Sequence, residues 1–120
     1  MSYIYLASPY SHPDPDVREA RYREAVRVTG WMLSRNMWVY SPIVHCHEVA
    51  RSASLPTDFA YWQRYNFAMI DHAEMFYILT LPGWQESRGV SGEVAYARSR
   101  KLPVLLLEPP PGGEAPESDV

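Results

Sequence analysis

The chain of 120 residues is 47% hydrophobic and 21% charged with a formal net charge of −3, which fits one globular domain and argues against electrostatic binding of nucleic acid polymers. It has no apolar run of about 18 residues that could span a membrane, and its first residues carry neither a basic leader nor a cleavage site. The single cysteine, Cys46, excludes an internal disulfide and suits a reducing compartment, so we expect a cytoplasmic protein.

The first predicted elements are a strand and a helix. Aromatic and β-branched residues at positions 3–7 predict a buried strand. Prolines and hydroxyl side chains at positions 8–13 predict a loop. Asp14 followed by Pro15 is typical of a helix N-terminus, and we expect this helix to run to about Ser34.

The middle of the chain predicts a second strand and a second helix. We place the strand at residues 37–40 and a loop at residues 41–47, whereas residues 48–57 fit a short helix or a loop equally well. Asp58 is a candidate cap for a helix that runs to about Asp71. The apolar residues of this helix cover more faces than one sheet needs, so we expect a homodimer or a higher homo-oligomer.

The last predicted elements are strands at 75–79 and 103–107, with a helix at 89–100 between them. Strands that alternate with helices predict an α/β fold, with a Rossmann or flavodoxin-like parallel sheet of four to five strands flanked by helices. We therefore expect one domain at residues 1–107. The Pro/Gly/Glu-rich segment 108–120 can bury little apolar area, so we expect a flexible tail there.

The loops that leave the carboxyl ends of parallel strands meet at one edge of the sheet, where ligands bind. These loops carry hydroxyl, imidazole and ring side chains that are candidates for binding a ligand: Ser8, Tyr10, His12, His45, His47, Trp84 and Ser87. Gly89 follows at the start of the next helix, where free backbone N–H groups and the helix dipole favour an anion such as a 5′-phosphate. Glycine there would let the ligand approach the main chain closely.

Glu93 is the most informative single residue. It lies at the edge of an apolar helix face that Val90 and Val94 also form. A carboxylate turned toward a core is costly unless it has a partner or a chemical role. Three interpretations stay open: Glu93 is a nucleophile, it pairs with Arg21 of the first helix, or it merely sits near a helix N-terminus, where acidic residues are favoured.

His45, Cys46 and His47 raise the question of a zinc site. In an extended segment the two histidines share a side and the cysteine points away, and no second pair of ligands stands at metal spacing. We therefore predict no metal and no cofactor. Trp84 is the best candidate for stacking on a ligand ring, because it lies on a loop beside the predicted anion site, whereas Trp62 fits a core or an interface better.

Three segments of the chain carry a family resemblance. They are Tyr-Ile-Tyr-Leu-Ala-Ser-Pro at residues 3–9, Ser-Pro-Ile-x-His at residues 41–45, and Ser87-x-Gly89-x-x-x-Glu93. Together they resemble the nucleoside 2-deoxyribosyltransferase-like superfamily, and most closely a small, largely uncharacterised branch of it. This superfamily also holds deoxynucleoside 5′-monophosphate N-glycosidases, which share the serine ahead of the catalytic glutamate.

The resemblance implies chemistry at the anomeric carbon of a (deoxy)nucleoside or its 5′-monophosphate. Glu93 would attack C1′, displace the base and form a covalent glycosyl ester. Tyr5 would orient this carboxylate, and Ser8, Ser87 and Gly89 would bind the 5′ end of the sugar. Water as the acceptor gives an N-glycosidase, and a second base gives a transferase.

One position departs from the superfamily pattern. Relatives commonly carry an aspartate ahead of an Ala-Asp pair, and this chain has Asn66 ahead of Ala73-Glu74. The resemblance places Asn66 in the catalytic site, but an asparagine can bond a sugar hydroxyl and cannot deliver a proton to the leaving base. Asp58, Asp71 or a histidine are the candidate substitutes. Two other functions stay open: a glycohydrolase of NAD, and a nucleotide-binding sensor or partner subunit without catalysis.

Overall fold

The computed structural model describes residues 2–112, which form one sheet and its flanking helices. The strands are β1 (Ile4–Ala7), β2 (Val39–Tyr40), β3 (Met75–Leu79) and β4 (Val104–Leu107), in the order β2-β1-β3-β4. Every strand pair is parallel. The helices are α1 (Pro15–Leu33), α2 (Pro42–Ala53), α3 (Phe59–Asp71) and α4 (Arg88–Ser99). The predicted α/β fold with a parallel sheet flanked by helices is confirmed, with four strands in the described residues.

Apolar layers cover both faces of the sheet, because alternate residues of each strand point to opposite sides. One layer joins β1 and β3 to α1 through Ile4, Leu6, Val28, Met32, Leu79 and Leu81. The other joins them to α3 and α4 through Tyr5, Ala7, Ile70, Ala73, Phe76, Ile78, Val90 and Ala97. All four residues of β1 are buried, as a central parallel strand requires. Side chains that follow β1 are therefore held by a rigid element.

The predicted start of the first helix is confirmed. Asp14 Oδ1 accepts a hydrogen bond from the backbone N–H of Asp16 at 2.9 Å, and Pro15 occupies the first helical position. Asp58 is likewise the N-cap of α3, but its side chain makes no capping hydrogen bond.

The predicted loop at residues 41–47 is wrong, because α2 begins at Pro42. Ser41 caps this helix, with its Oγ accepting from Val44 N–H at 3.1 Å. The Ser-Pro pair is the signal for a helix start, and it outweighs the two β-branched residues that follow it. Residues 48–57 begin as helix and become a loop after Ala53, and β2 is shorter than predicted.

The predicted tail begins within the described residues and continues beyond them. Pro110 is buried, and its carbonyl accepts a hydrogen bond from Arg27 Nη2 at 3.0 Å. The chain directly after β4 therefore packs against α1. Residues 113–120, the rest of the predicted tail, lie outside the described residues. No helix within residues 2–112 has the length and apolarity needed to cross a bilayer.

Gly92 of α4 lies against the ring of Phe59. A methyl group at position 92 would stand 2.6 Å from Phe59 Cζ and 2.8 Å from its Cε2, which is far inside van der Waals contact. We expect Gly92→Ala to lower the free energy of unfolding by about 1–3 kcal/mol through overpacking. The control is Gly30→Ala in α1, where a methyl group meets nothing within 4 Å and should raise stability by up to about 1 kcal/mol. Urea unfolding followed by circular dichroism measures both, and equal effects would contradict this packing argument.

Candidate active site

A cavity of about 380 Å³ opens at the carboxyl edge of the sheet. Its lining residues include Ser8, Tyr10, His47, Asn66, Ser87 and Glu93. The cavity lies beside β1, where the strand order reverses, because β2 pairs with one edge of β1 and β3 pairs with the other. Parallel sheets bind ligands at such a switch point. The volume of the cavity is within the range for small-molecule sites.

Glu93 is buried, with 5% of its surface exposed, and two uncharged donors hold it. Its Oε2 accepts from Tyr5 Oη at 3.1 Å and from Asn66 Nδ2 at 2.9 Å. Arg21 instead donates to the carbonyls of Ser11 and Pro82. The interpretation that Glu93 pairs with Arg21 is therefore wrong, and no ion pair within residues 2–112 involves Glu93.

The two oxygens of the Glu93 carboxylate differ in their hydrogen bonding. Both hydrogen bonds end on Oε2, and none within the described residues reaches Oε1. The donors come from β1 and α3, so the carboxylate is fixed from two elements while Glu93 also lines the cavity. One oxygen is held, and the other is left for a ligand.

Burial raises the pKa of Glu93 to about 7, against its ordinary value of 4.5, although the hydrogen bonds from Tyr5 and Asn66 act in the opposite direction. The pKa of Tyr5 is well above its usual range, because the ring is buried and the Glu93 carboxylate is close. Tyr5 therefore stays a hydrogen-bond donor at neutral pH. Glu93 changes charge near neutrality, as groups in chemical sites often do.

Three buried polar atoms of cavity-lining residues have no hydrogen-bond partner within the described residues. They are Ser8 Oγ, His47 Nε2 and Asn66 Oδ1. An unsatisfied buried polar group costs about 1–3 kcal/mol. His47 Nε2 lies 3.3 Å from Glu19 Oε1, and a ligand with hydroxyl groups would satisfy Ser8 Oγ and Asn66 Oδ1, so the cavity is suited to a hydroxylated molecule.

The N-terminus of α4 forms another wall of the cavity. Ser87 is the N-cap, and its Oγ accepts from Val90 N–H at 3.1 Å. Arg88 and Gly89 also line the cavity. A methyl group on Gly89 would make only ordinary contacts, the nearest 3.7 Å from Phe59 Cδ1, so packing does not require a glycine there. The helix dipole, free N–H groups and Arg88 together favour an anion at this wall.

The chain matches a known protein family. A family described as Domain of unknown function (DUF1937) matches residues 2–109, which include all the strands and helices described above. The chain belongs to the DUF1937 family. A search of curated proteins finds no match.

The structure of this DUF1937 domain brings most of the predicted site residues together. Tyr5, Asn66 and Glu93 are joined by hydrogen bonds. The predicted ligand-binding residues that line the same cavity are Ser8, Tyr10, His47, Ser87 and Gly89.

Three predicted ligand-binding residues, His12, His45 and Trp84, lie elsewhere. His12 is exposed, and its Nδ1 accepts a hydrogen bond from the backbone N–H of Asp14 at 3.0 Å. His45 is exposed on α2, with its Nε2 3.0 Å from Tyr65 Oη and its ring stacked on Tyr65. Trp84 packs against the apolar layer under α3 and α4 and lines a separate groove with Val94. The cause for His45 is the helix at Pro42, which turns His47 rather than His45 toward the cavity. For Trp84, the apolar ring gains more from burial under α4 than from solvent.

The structure bears on the predictions for Cys46 and for a zinc site. Burial raises the pKa of the Cys46 thiol to about 11, so at neutral pH it is a thiol and a poor nucleophile. Within residues 2–112, no group of three or more His, Cys, Asp or Glu side chains is placed to hold a metal ion. Trp62 lines the cavity, with its Nε1 donating to the Pro56 carbonyl at 2.8 Å, whereas the sequence favoured a core or interface role.

Proposed function

We propose that this protein cleaves the N-glycosidic bond of a (deoxy)nucleoside or its 5′-monophosphate, with Glu93 as the nucleophile. The observation that carries this proposal is the state of the Glu93 carboxylate: it is buried, is held through one oxygen and lines the cavity, and within residues 2–112 no cation pairs with it and no hydrogen bond reaches its other oxygen. A structural carboxylate would have a cation or a full set of donors. A nucleophile needs a free, oriented oxygen.

The proposed reaction has two steps. Glu93 Oε1 forms a bond to C1′ while the C1′–N bond breaks and its electron pair leaves with the base, as in retaining glycosidases. Water then hydrolyses the glycosyl ester, or a second base takes the sugar in a transferase reaction. Tyr5 and Asn66 position the carboxylate through Oε2. Asn66 Oδ1, which has no partner in the described residues, would accept from a sugar hydroxyl.

The first test is a search for released base. Purified protein is incubated with nucleosides, 2′-deoxynucleosides, their 5′-monophosphates and NAD, and free base is detected by chromatography. Release from nucleosides or monophosphates that disappears in Glu93→Gln supports the proposal. Release of nicotinamide from NAD alone would instead support the glycohydrolase alternative. A cavity of about 380 Å³ favours a mononucleotide, because a dinucleotide would extend beyond it.

The wall formed by the start of α4 supports a 5′-monophosphate as the substrate. Arg88 lines this wall, but Asp58 and Glu86 line the same cavity, so nucleosides must be compared directly with monophosphates. We expect Gly89→Ala to raise KM for the monophosphate roughly tenfold, about 1.4 kcal/mol, because a methyl group would keep the phosphate from the backbone N–H groups. KM for the nucleoside should change much less, and Gly30→Ala is the matched control. An equal rise for both substrates would contradict a phosphate at this wall.

Asn66 favours a second candidate function, a nucleotide-binding sensor or partner subunit. Its side-chain amide occupies the position of an acid in relatives and cannot supply a proton. Calorimetry would then show nucleotide binding, with no base released by the wild type or by Asn66→Asp. Base release by the wild type would exclude this candidate.

We also propose that the protein acts as a homo-oligomer. Large apolar side chains are exposed on several elements, with Trp38 63%, Leu106 62% and Tyr61 48% exposed. Light scattering coupled to size-exclusion chromatography would measure the state, and a monomer at assay concentration would contradict this proposal. The cytoplasmic location, the small-molecule partner and the absence of nucleic acid or membrane partners stay predictions.

A further inference from the structure

Three side chains form a chain of close polar contacts that leads from the cavity to α1. Tyr10 lines the cavity, and its Oη lies 2.7 Å from His47 Nδ1. His47 Nε2 lies 3.3 Å from Glu19 Oε1. We propose that this chain supplies the proton that the departing base needs, with Tyr10 as the acid that touches the base. The inference rests on the proposed function and adds the acid that Asn66 cannot be.

The imidazole of His47 is held in one orientation. The ring of Tyr22 stacks on it at 3.9 Å with an interplanar angle of 18°, and the ring of Tyr10 meets its edge at 85°. Its side chain is 9% exposed. The contact with Glu19 is close enough for charge pairing but is not aligned as a hydrogen bond. A fixed ring with a phenol on one nitrogen and a carboxylate near the other fits proton transfer along one path.

Charges surround Tyr10 from several elements. Burial raises the pKa of Tyr10; Arg18 and Arg51 lower it, and Glu19 and Glu48 raise it. Because the net direction is upward, the hydroxyl keeps its proton at neutral pH. Glu19 is anchored on its other oxygen by Arg23, whose Nε lies at 3.2 Å. The Glu19 carboxylate therefore lies between Arg23 and His47, where it would balance a positive charge that forms on the imidazole during proton transfer.

The proposed proton transfer runs from His47 through Tyr10 to the base. When His47 carries a proton on both nitrogens, its Nδ1–H donates to Tyr10 Oη, and the Tyr10 hydroxyl donates to a nitrogen of the base. As Glu93 bonds to C1′ and the C1′–N bond breaks, the Tyr10 proton moves to the base and the His47 Nδ1 proton moves to Tyr10. The base leaves neutral, His47 is left with its Nε2 proton, and Tyr10 is restored. In the second step, the proton that the attacking water loses returns along the same path.

A pair of substrates with different leaving groups tests the inference. One is a deoxynucleoside 5′-monophosphate, whose base needs a proton to leave. The other is the para-nitrophenyl 2-deoxyriboside 5′-phosphate, whose nitrophenolate leaves without one. General acid catalysis typically contributes about 10²–10⁴-fold. We expect Tyr10→Phe and His47→Gln to slow base release by about 100-fold or more and nitrophenolate release by less than about fivefold.

The other carboxyl groups of the cavity are the rival acids. Asp58→Asn and Glu86→Gln are therefore measured beside Tyr10→Phe, and neither should separate the two substrates. Separation by Asp58→Asn and not by Tyr10→Phe would overturn the inference and give the role to Asp58. Equal slowing of both substrates by Tyr10→Phe would also overturn it, because that pattern marks a loss of substrate positioning.

The design keeps two failures apart. If the wild type cleaves neither substrate, the proposed function itself fails, and the proton path with it. If the wild type cleaves both and no variant separates them, only the proton path fails. Tyr10→Phe keeps the ring against His47, so it decides the outcome if His47→Gln does not fold, as judged by circular dichroism.

Discussion

We expect Glu93→Gln to abolish base release and to make the folded protein more stable than the wild type above neutral pH. Glutamine keeps the size of the side chain, and its carbonyl can still accept from Tyr5 and Asn66, which hold Glu93 Oε2 at 3.1 and 2.9 Å. It cannot form a glycosyl ester as a carboxylate does. Removing a nucleophile of this kind typically lowers kcat by about 10⁴-fold or more.

The stability effect follows from the pKa. Burial raises the pKa of Glu93 from 4.5 to about 7, so the contribution of Glu93 to folding is most favourable below pH 4.5 and is lost as the pH rises through 7. A pKa difference of about 2.5 corresponds to about 3 kcal/mol. Glutamine has no such titration. We therefore expect Glu93→Gln to unfold with a free energy about 3 kcal/mol higher than the wild type at about pH 8, and with little difference at about pH 4.

Urea unfolding at several pH values measures this difference. The control is Glu74→Gln, which removes the same charge at an exposed position and should show no comparable divergence with pH. A Glu93→Gln protein that is less stable than the wild type at about pH 8 would mean that the carboxylate serves the fold. An activity that survives the substitution would exclude Glu93 as the nucleophile.

The same titration sets the pH dependence of the reaction. The nucleophile is the carboxylate, so the rate should rise with pH through about 7, the pKa of Glu93. The nitrophenyl substrate shows this most directly, because its leaving group needs no acid. Tyr5→Phe removes a donor that lowers the pKa of Glu93, so the rise should move to higher pH. A profile that stays flat from about pH 5 to 9 would contradict this assignment.

Under the proposed function, activity and stability oppose each other at this residue. The charged form that would react is the form that burial disfavours, and the rest of the domain compensates for it. This is the usual relation between a strained site and its scaffold. Among residues 2–112, Glu93 is the buried acid, whereas the other acidic residues are half-exposed or exposed.

Periodicity was sufficient to predict the fold and one key side chain. The alternation of strands and helices predicted the parallel sheet, and the helical spacing of Val90, Glu93 and Ala97 predicted that the carboxylate turns inward, which it does. Local capping signals predicted the start at Asp14 correctly. They also indicate the helix that begins at Pro42, although the two β-branched residues that follow favour an extended chain.

Contacts between distant residues could not be predicted from local pattern. Tyr5 and Glu93 are 88 positions apart, and only the family resemblance suggested that they meet. The partners of His47 come from α1 and from the loop after β1. His47 was expected at the ligand site and lines the cavity. Because residues 41–47 were expected to be extended, His45 and His47 were expected to share a side, which is wrong, and Glu19 was missed altogether. A Ser-Pro pair taken as a helix start would have placed His45 and His47 on different faces.

A second substitution with a large expected effect is Asn66→Asp, which tests the source of the proton. Asn66 Nδ2 donates to Glu93 Oε2, while Asn66 Oδ1 is buried without a partner in the described residues. In Asn66→Asp, one oxygen would lie beside Glu93 and the other would take the place of the unpartnered Oδ1. Two carboxyl groups so close cannot both ionise easily, so the pair holds one proton and titrates in two coupled steps.

That shared proton gives the cavity a second acid. We expect Asn66→Asp to restore base release in a Tyr10→Phe protein by about 10- to 100-fold, because the singly protonated pair offers Glu93 as the nucleophile and Asp at position 66 as the acid. The restored activity should fall again at high pH, when the pair loses its remaining proton. Asn66→Ala in the same background is the control, since it removes the hydrogen bond to Glu93 and supplies no proton.

The rescue distinguishes two explanations of how the proposed reaction proceeds with an amide, rather than an acid, at position 66. If Tyr10 and His47 deliver the proton, the amide is sufficient in the wild type, and the acid becomes useful only when that path is cut. Asn66→Asp alone should then give little or no gain in base release. A large gain from Asn66→Asp in the otherwise wild-type protein would show that the Tyr10 path delivers no proton, and that the cavity lacks an acid until one is restored at position 66.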